Sequence, residues 1–180
     1  MHLTDRELSD IIQDIVVIID SREKKNEHIT KYLNDNGYKY VVKKLDTGDY
    51  SFELPNYPEL GFDRKFLVEK KNGLDEIVGN FTADRGRFQR EFERIKDEHL
   101  HLVIENTTWK KVFNGSYRSK FHPNSLMASL LSWSIRYGFQ VWFVGKDESP
   151  ALIYNLLKYE LAEALKGGFG DGNGSTGQEG

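Results

Sequence analysis

Three short segments constrain the fold of this chain most, because each places acidic residues at the end of an apolar run or beside a glycine. They read VVIIDSRE at 16–23, LDTGDY at 45–50 and FLVEKK at 66–71. Short apolar runs rich in β-branched residues predict buried strands. Charged residues at the ends of buried strands lie at an edge of the sheet, where α/β proteins usually build their sites. Three such placements close together are not expected of a merely solvated surface, so we expect a functional site at this edge.

The rest of the chain predicts helices and strands in alternation. Thr4 and Glu7 have the spacing of a capping box, which predicts a short first helix. The other predicted elements are helices at 26–36, 74–81, 85–98, 123–137 and 149–166 and strands at 16–19, 38–45, 49–54, 66–70, 101–105 and 139–144, with an aromatic and basic loop at 109–120. Early strands followed by alternating helix and strand predict an α/β fold, a mixed sheet flanked by helices.

Length and composition exclude several classes of protein. The chain has 180 residues, which is enough for one domain, and it has no cysteine, which excludes disulfides and thiolate metal sites. No segment approaches the roughly 20 apolar residues of a membrane helix, and the N-terminus is too polar for a signal peptide. We therefore expect no membrane contact and no secretion, but a cytoplasmic location in a bacterium, archaeon or phage or a nuclear one in a eukaryote. The net charge is −3, so any contact with nucleic acid needs a local basic surface.

The expected division of the chain has three parts. Residues 1–14 are an N-terminal helix, 15–166 form the main domain, and 167–180 are a glycine-rich tail. The tail has almost nothing to bury, and such segments are flexible.

The acidic residues have the chemistry that phosphodiester cleavage requires. A hard divalent cation such as Mg²⁺ takes oxygen ligands and keeps several waters, so two or three carboxylates suffice. Residues two apart on a strand share a face, so we expect Glu69 and Lys71 to point at one site and Lys70 to point away. A lysine beside the attacking water can orient it, help to deprotonate it or neutralise the transition state. An acid followed by Glu-x-Lys is by itself a weak signal, since solvated charges at a strand end give the same pattern.

Taken together, the segments resemble the nuclease domain of the XPF family of structure-specific endonucleases. That family carries Asp-x-Arg-Glu, then Gly-Asp, then Glu-Arg-Lys with an aspartate soon after, and later a Gly-Arg element on a helix. The matching segments here are IDSRE, LDTGDY, VEKKNGLDEI and DRGRFQREFERI, and the resemblance extends over roughly 15–166. It implies a restriction-endonuclease-like fold and Mg²⁺- or Mn²⁺-dependent cleavage of branched or flap DNA, in repair or recombination.

The resemblance also implies roles for individual residues. Asp49 and Glu69 would be the main metal ligands with Asp20 close by, and Lys71 would be the catalytic lysine. The supporting residues would be Arg22, Glu23, Lys70 and Asp75. Two departures from the family pattern stand out: Lys70 replaces an arginine, and Glu91 lies about where the Gly-Arg helix has a glutamine.

Basic side chains further along the chain have two readings. Arg85, Arg87 and Arg90 are candidate DNA contacts, and we favour Arg85 and Arg87, whereas Arg94 is better explained as a solvated residue paired with nearby acids. Lys110 and Lys111 follow Trp109, a mixture that suits single-stranded or distorted DNA, where bases can stack. An irregular loop whose aromatic residues pack on the core explains that mixture equally well.

Other functions remain open at this point. The chain could be a non-catalytic DNA-binding or scaffold member of the same fold, a restriction-type nuclease that cuts plain duplex, or a protein-interaction domain. We expect DNA as a partner, together with a second copy or a DNA-binding partner subunit. No helix-hairpin-helix module is visible, so a homodimer would form through the nuclease domain.

Overall fold

The computed structural model describes residues 3–95 and 99–167, which contain seven helices and six strands. The helices are α1 (Asp5–Gln13), α2 (Glu27–Asp35), α3 (Leu74–Phe81), α4 (Arg85–Arg94), α5 (Trp109–Phe113), α6 (Pro123–Tyr137) and α7 (Ser149–Leu165). The strands are β1 (Val16–Asp20), β2 (Lys39–Lys43), β3 (Tyr50–Glu53), β4 (Phe66–Lys71), β5 (His99–Glu105) and β6 (Gln140–Val144). A single 3₁₀ turn, Pro58–Leu60, lies between β3 and β4.

The six strands form one mixed sheet in the order β2-β1-β3-β4-β5-β6. Strand β3 runs antiparallel to both of its neighbours, β1 and β4, whereas the remaining pairs are parallel. The predicted α/β fold with a mixed sheet flanked by helices is thereby confirmed. Because β3 runs opposite to β1 and β4, the turn that leads into β3 lies at the edge where β1 and β4 end.

Two hydrophobic cores fill the two faces of the sheet. The first contains Ile11 of α1, Ile29 of α2 and Leu157 of α7. The second is built around Phe88 of α4 and Trp133 of α6 on the opposite face. Since residues of α1 belong to the first core, α1 is part of the same folded unit as the segment that follows it.

Several boundaries differ from the sequence-based expectation. Strand β5 begins at His99 rather than at 101, because the register of its parallel pairing with β4 starts at Phe66 opposite His99. Helix α4 ends at Arg94, before the predicted end at 98, and residues 96–98 lie outside the described residues.

Helix α5 falls within the segment predicted to be a loop. The side-chain oxygen of Thr108 accepts a hydrogen bond from the Lys111 amide and caps the helix, and Val112 is buried in the second core. The helix is only five residues long, so it has little periodicity to reveal it.

The predicted flexible tail falls almost wholly on residues 168–180, outside the described residues. Within the described part of the chain, every helix is too short or too polar to cross a membrane.

Candidate active site

Main-chain hydrogen bonds from two strands fix the position of Asp49. Its amide donates to the Val68 carbonyl oxygen at 2.8 Å, and its own carbonyl accepts from the Asp20 amide at 2.8 Å. Gly48 precedes it with φ +79°, and a Cβ there would lie 3.4 Å from both the Leu67 Cβ and the Val68 oxygen. A left-handed backbone close against β4 favours glycine, so this turn delivers Asp49 to the middle of the sheet edge.

The carboxylate of Asp49 is held in a partly buried position beside Glu69. Its Oδ2 accepts a 2.8 Å hydrogen bond from the backbone amide of Lys70. Burial, followed by the negative charge of Glu69, raises the pKa of Asp49 well above its usual range. Two neighbouring carboxylates that disfavour each other's charge are a setting in which a cation is stabilising.

Glu69 and Lys71 face the same side of β4, as predicted. Lys71 Nζ lies 2.6 Å from Glu69 Oε1 and 3.9 Å from Glu76 Oε1. It also lies 5.4 Å from the centre of the Phe88 ring, which forms the apolar floor beside it. Burial alone would lower the pKa of Lys71, but the charges of Glu69, Asp49 and Glu76 outweigh it and raise the pKa. Lys71 therefore carries a positive charge at neutral pH.

Asp20 lies at the same edge but its carboxylate is already engaged. Oδ1 accepts from the Arg22 amide at 2.7 Å and from Arg22 Nε at 2.8 Å. Oδ2 accepts from the Leu45 amide at 2.6 Å and from Arg22 Nη2 at 3.1 Å. Burial would raise the pKa of Asp20, but these bonds more than offset it and hold the pKa low. Both oxygens of Asp20 therefore orient Arg22 and the turn at Leu45, and direct metal binding by Asp20 stays a prediction.

A cleft of about 220 Å³ lies over Asp49 and Glu69. Its polar lining includes Asp20, Arg22, Asp46, Asp49, Glu69, Glu91 and Arg94. Phe88 and Phe92 supply apolar walls from α4. Sequence reasoning had placed Arg94 on the solvated side of α4 and had not identified Glu91 as a cleft residue. The helical spacing of the buried residues Phe88, Phe92 and Ile95 could have revealed it. Glu91 lies on the same side of α4 as these three residues, which is the side that faces the protein.

Lys70 points to the opposite face of the sheet, as the strand alternation predicted. Its side chain is fully buried, with Nζ 3.0 Å from Asn72 Oδ1 and 3.8 Å from Glu23 Oε1. Glu23 therefore lies behind the sheet edge rather than in the cleft. Lys70 and Glu23 thus contact each other on the face of the sheet opposite the cleft.

Asp75 also lies outside the cleft. Its carboxylate accepts from the amide and Nε of Arg118 at 2.8 and 3.0 Å, which ties the loop after α5 to α3. The two residues line a separate groove of about 470 Å³ together with Lys25 and Lys111. The next acid along the chain, Glu76, is the one that approaches Lys71. Asp75 and Glu76 are adjacent on α3, and the sequence alone did not show which of the two acids approaches Lys71.

The predicted DNA-binding cations lie in two different places. Arg85, Arg87 and Arg90 are exposed on α4, beside the cleft. Arg85 stacks on Trp133 with its Cζ 5.0 Å from the ring centre, and Arg87 pairs with Asp84 at 3.3 Å. Lys110 and Lys111 are exposed on α5, and Lys111 lines the separate groove.

The two carboxylates Asp49 and Glu69 are a small set of ligands, but their oxygen atoms suit a hard cation. Across 3–95 and 99–167, no three carboxylate or imidazole groups converge closely enough to enclose a metal. Asp49 and Glu69 are nevertheless adjacent oxygen donors at an open cleft, and Mg²⁺ is commonly bound through one or two carboxylates and its own waters. The two residues therefore fit a divalent cation that remains largely hydrated.

Comparison with known proteins places this site in a family. The sequence model of the ERCC4 domain matches residues 19–156, which include every residue of the cleft. The chain belongs to the ERCC4 domain family. This confirms the resemblance to XPF-type nucleases that the order of the acidic segments indicated.

Individual relatives of this ERCC4 domain are distant. It is 24% identical over 172 residues to the probable crossover junction endonuclease mus81 of Dictyostelium discoideum, a match covering 86% of this chain and 18% of that protein. The chain thus spans less than a fifth of that relative's length.

Two solved structures share the fold. XPF from Aeropyrum pernix superimposes with a TM-score of 0.60 at 20% identity, covering 81% of this chain and 61% of that one. The same protein in complex with DNA superimposes with a TM-score of 0.58 at 18% identity, covering 87% and 68%.

Proposed function

We propose that this ERCC4 domain is a DNA endonuclease that hydrolyses phosphodiester bonds with the help of Mg²⁺ or Mn²⁺. The observation that carries the proposal is that Asp49 and Glu69 line one cleft, with the buried ammonium group of Lys71 2.6 Å from Glu69. These side chains come from a turn and a strand that are twenty residues apart in sequence, and the fold brings them together. A solvated surface gives no reason for such a convergence of partly buried charges.

Asp49 and Glu69 are the proposed ligands of the cation. A divalent cation bound there would stabilise charge on the phosphate and lower the pKa of an attacking water. The protein's own contribution is to hold two oxygen donors ready, with the Lys70 amide fixing the orientation of Asp49. Asp20 acts indirectly in this proposal, by holding Arg22 at the rim of the cleft.

Lys71 is proposed to act through its charge. The charges of the neighbouring carboxylates raise the pKa of Lys71 in the metal-free site, so Lys71 is a cation there. Its ammonium group can orient a water or phosphate oxygen and stabilise negative charge that develops on the phosphate. Orientation of the attacking water and neutralisation of the transition state both follow from this positive charge, and they are the two roles proposed for Lys71.

The proposed substrate is branched, flap or fork DNA. The relatives support this choice: one is named a crossover junction endonuclease, and one XPF structure is a complex with DNA. Arg85, Arg87 and Arg90 on α4 are the proposed phosphate contacts beside the cleft, and Lys110 and Lys111 are proposed contacts for a second DNA segment. Assembly with a second copy or with a DNA-binding partner subunit is part of the proposal, and light scattering with and without DNA would test it.

The test is cleavage of end-labelled flap, fork and plain duplex DNA in Mg²⁺, Mn²⁺ and EDTA. Wild type is compared with Asp49→Asn, which removes the ligand charge at constant size. Asp35→Asn is the matched control, because Asp35 lies on α2, pairs with Lys31 and does not line the cleft. We expect metal-dependent cutting of branched DNA by wild type and by the control, and none by Asp49→Asn.

The other outcomes distinguish the alternatives. Equal cutting of plain duplex would indicate a restriction-type nuclease. Binding of branched DNA without cutting would favour a scaffold role and direct attention to a catalytic partner. If the protein binds neither DNA nor metal, the remaining hypothesis is a protein-interaction domain.

A further inference from the structure

Glu91 is a partly buried acid that faces the cleft without an ion-pair partner. It lies on α4 next to Phe92 and three residues beyond Phe88, both of which are buried, so its side chain is on the inward side of the helix. Within the described residues Glu91 has neither a hydrogen bond nor a salt bridge. Its neighbour Glu93, by contrast, is exposed and accepts a 2.8 Å hydrogen bond from Gln89.

The charges around Glu91 belong to the active-site cleft. Burial and then the negative charge of Glu69 raise the pKa of Glu91, whereas Lys71 and the α4 arginines act in the opposite direction. Lys71 is already paired with Glu69. The negative charge of Glu69 thus acts on both Asp49 and Glu91, and the positive charge of Lys71 acts on all three acids. A partly buried carboxylate beside another acid is unfavourable unless cations or a proton compensate it, and Lys71 and the α4 arginines do so only in part.

We propose that Glu91 is a third acid that helps to hold the divalent cation, by accepting hydrogen bonds from the cation's waters. The inference rests on the proposed function, since it concerns the same cation as Asp49 and Glu69. Mg²⁺ keeps several waters, so a carboxylate just beyond contact distance still contributes to binding. The related family pattern has a glutamine about here, which provides no negative charge.

Mn²⁺ binding to the full chain provides the test, by isothermal titration and by loss of the free Mn²⁺ electron-spin signal. The variants are Glu91→Gln, which introduces the neutral amide of the family pattern, and Glu93→Gln as a control on the same helix. We expect Glu91→Gln to weaken Mn²⁺ binding by roughly 10- to 100-fold, as removal of supporting groups around metal sites commonly does. Glu93→Gln should bind as wild type does.

Thermal melting separates this role from a structural one. Without metal, Glu91→Gln should melt at the same temperature as wild type or higher, because a repulsion with Glu69 is removed. Added Mn²⁺ should raise its melting temperature less than that of wild type. A residue needed only for packing would lower the melting temperature both with and without metal.

Each alternative result has a defined meaning. Wild-type Mn²⁺ affinity in Glu91→Gln, together with its loss in Asp49→Asn, would overturn the role of Glu91 and leave the site itself standing. Unchanged affinity in Asp49→Asn would instead refute the proposed metal site. Equal weakening in Glu91→Gln and Glu93→Gln would point to the general negative potential of α4 and would also overturn the inference. Glu91→Asp, which keeps the charge on a shorter side chain, should fall between wild type and Glu91→Gln.

Discussion

The backbone amide of Lys70 donates a 2.8 Å hydrogen bond to Oδ2 of Asp49, so the main chain of β4 itself orients the acid from the neighbouring turn. The residues on either side of Lys70 are Glu69, which lines the cleft, and Lys71, which pairs with Glu69 on the same face of the strand. Strand β4 therefore positions the side chains of Glu69 and Lys71 and orients the carboxylate of Asp49. The side chain of Lys70 meanwhile anchors on the opposite face, beside Glu23. Strand β4 is thus the element on which the geometry of the site depends.

Lys71→Met should abolish most of the catalytic rate while leaving binding of DNA nearly intact. The methionine keeps the packing against Phe88 but removes the positive charge, and loss of one such stabilising group costs about 100- to 1,000-fold in rate. Single-turnover cleavage of a flap substrate in Mg²⁺ measures the rate, and DNA binding in Ca²⁺ measures affinity. Lys146→Gln, at an exposed turn, is the control. A Lys71→Met protein that cuts at the wild-type rate would disprove the assigned role.

Asp20→Asn should destabilise the protein by about 1–3 kcal/mol at neutral pH, because a buried carboxylate that accepts four hydrogen bonds is replaced by an amide. The folded-state pKa of Asp20 is lowered, so its stabilising effect is present above its unfolded pKa of about 3.9 and is lost as the pH falls through the folded value. The stability difference between wild type and Asp20→Asn should therefore shrink in acid. Urea unfolding in EDTA from neutral pH down to about pH 3 measures it. A difference that stays constant with pH would show that the charge of Asp20 is unimportant.

Phe88→Ala should cost about 3–5 kcal/mol of unfolding free energy, the usual range for removing a fully buried aromatic ring. Phe88 packs against Phe81, Phe92 and Trp133, with ring centres 4.7–5.8 Å away. The control is Phe113→Ala, because Phe113 is 56% exposed and its loss should cost far less. Guanidinium unfolding of both variants provides the comparison. Similar losses in the two would mean that the second core is not centred on Phe88.

Asp75→Asn and Arg118→Gln should loosen the same segment, the loop at 114–122. The two side chains tie that loop to α3, and the bond to the Arg118 amide is the first cause of the lowered pKa of Asp75. The tie is therefore present above the ordinary carboxylate pKa and is lost as the pH falls through the lowered value. Hydrogen exchange of loop amides should rise in both variants, and the double variant should exchange no faster than either single one. Additive effects would show that the two residues act separately.

The sequence determined the elements and the identity of the central acids. Apolar runs ending in acids predicted β1 and β4, and the two-residue repeat of a strand placed Glu69 and Lys71 on one face and Lys70 on the other. These predictions succeeded because they depend on local geometry, which the chain carries wherever it folds. Helix α5 escaped prediction because five residues provide too little periodicity, and its stability comes from burial of Val112.

Only the tertiary structure decided which of the candidate residues share a site. The sequence placed Asp20 and Asp75 near Asp49 in the expected site, yet in the fold Asp20 is engaged by Arg22 and Leu45 and Asp75 by Arg118, which leaves Asp49 beside Glu69. Glu91 enters the cleft because α4 packs its Phe88 face against the sheet. The contacts made by Leu45, Lys70 and Arg118 join residues 21 to 43 positions apart, whereas the contact of Arg22 with Asp20 is local. The sequence thus determined which chemical groups are present, and the long-range packing of helices on the sheet determined which of them meet.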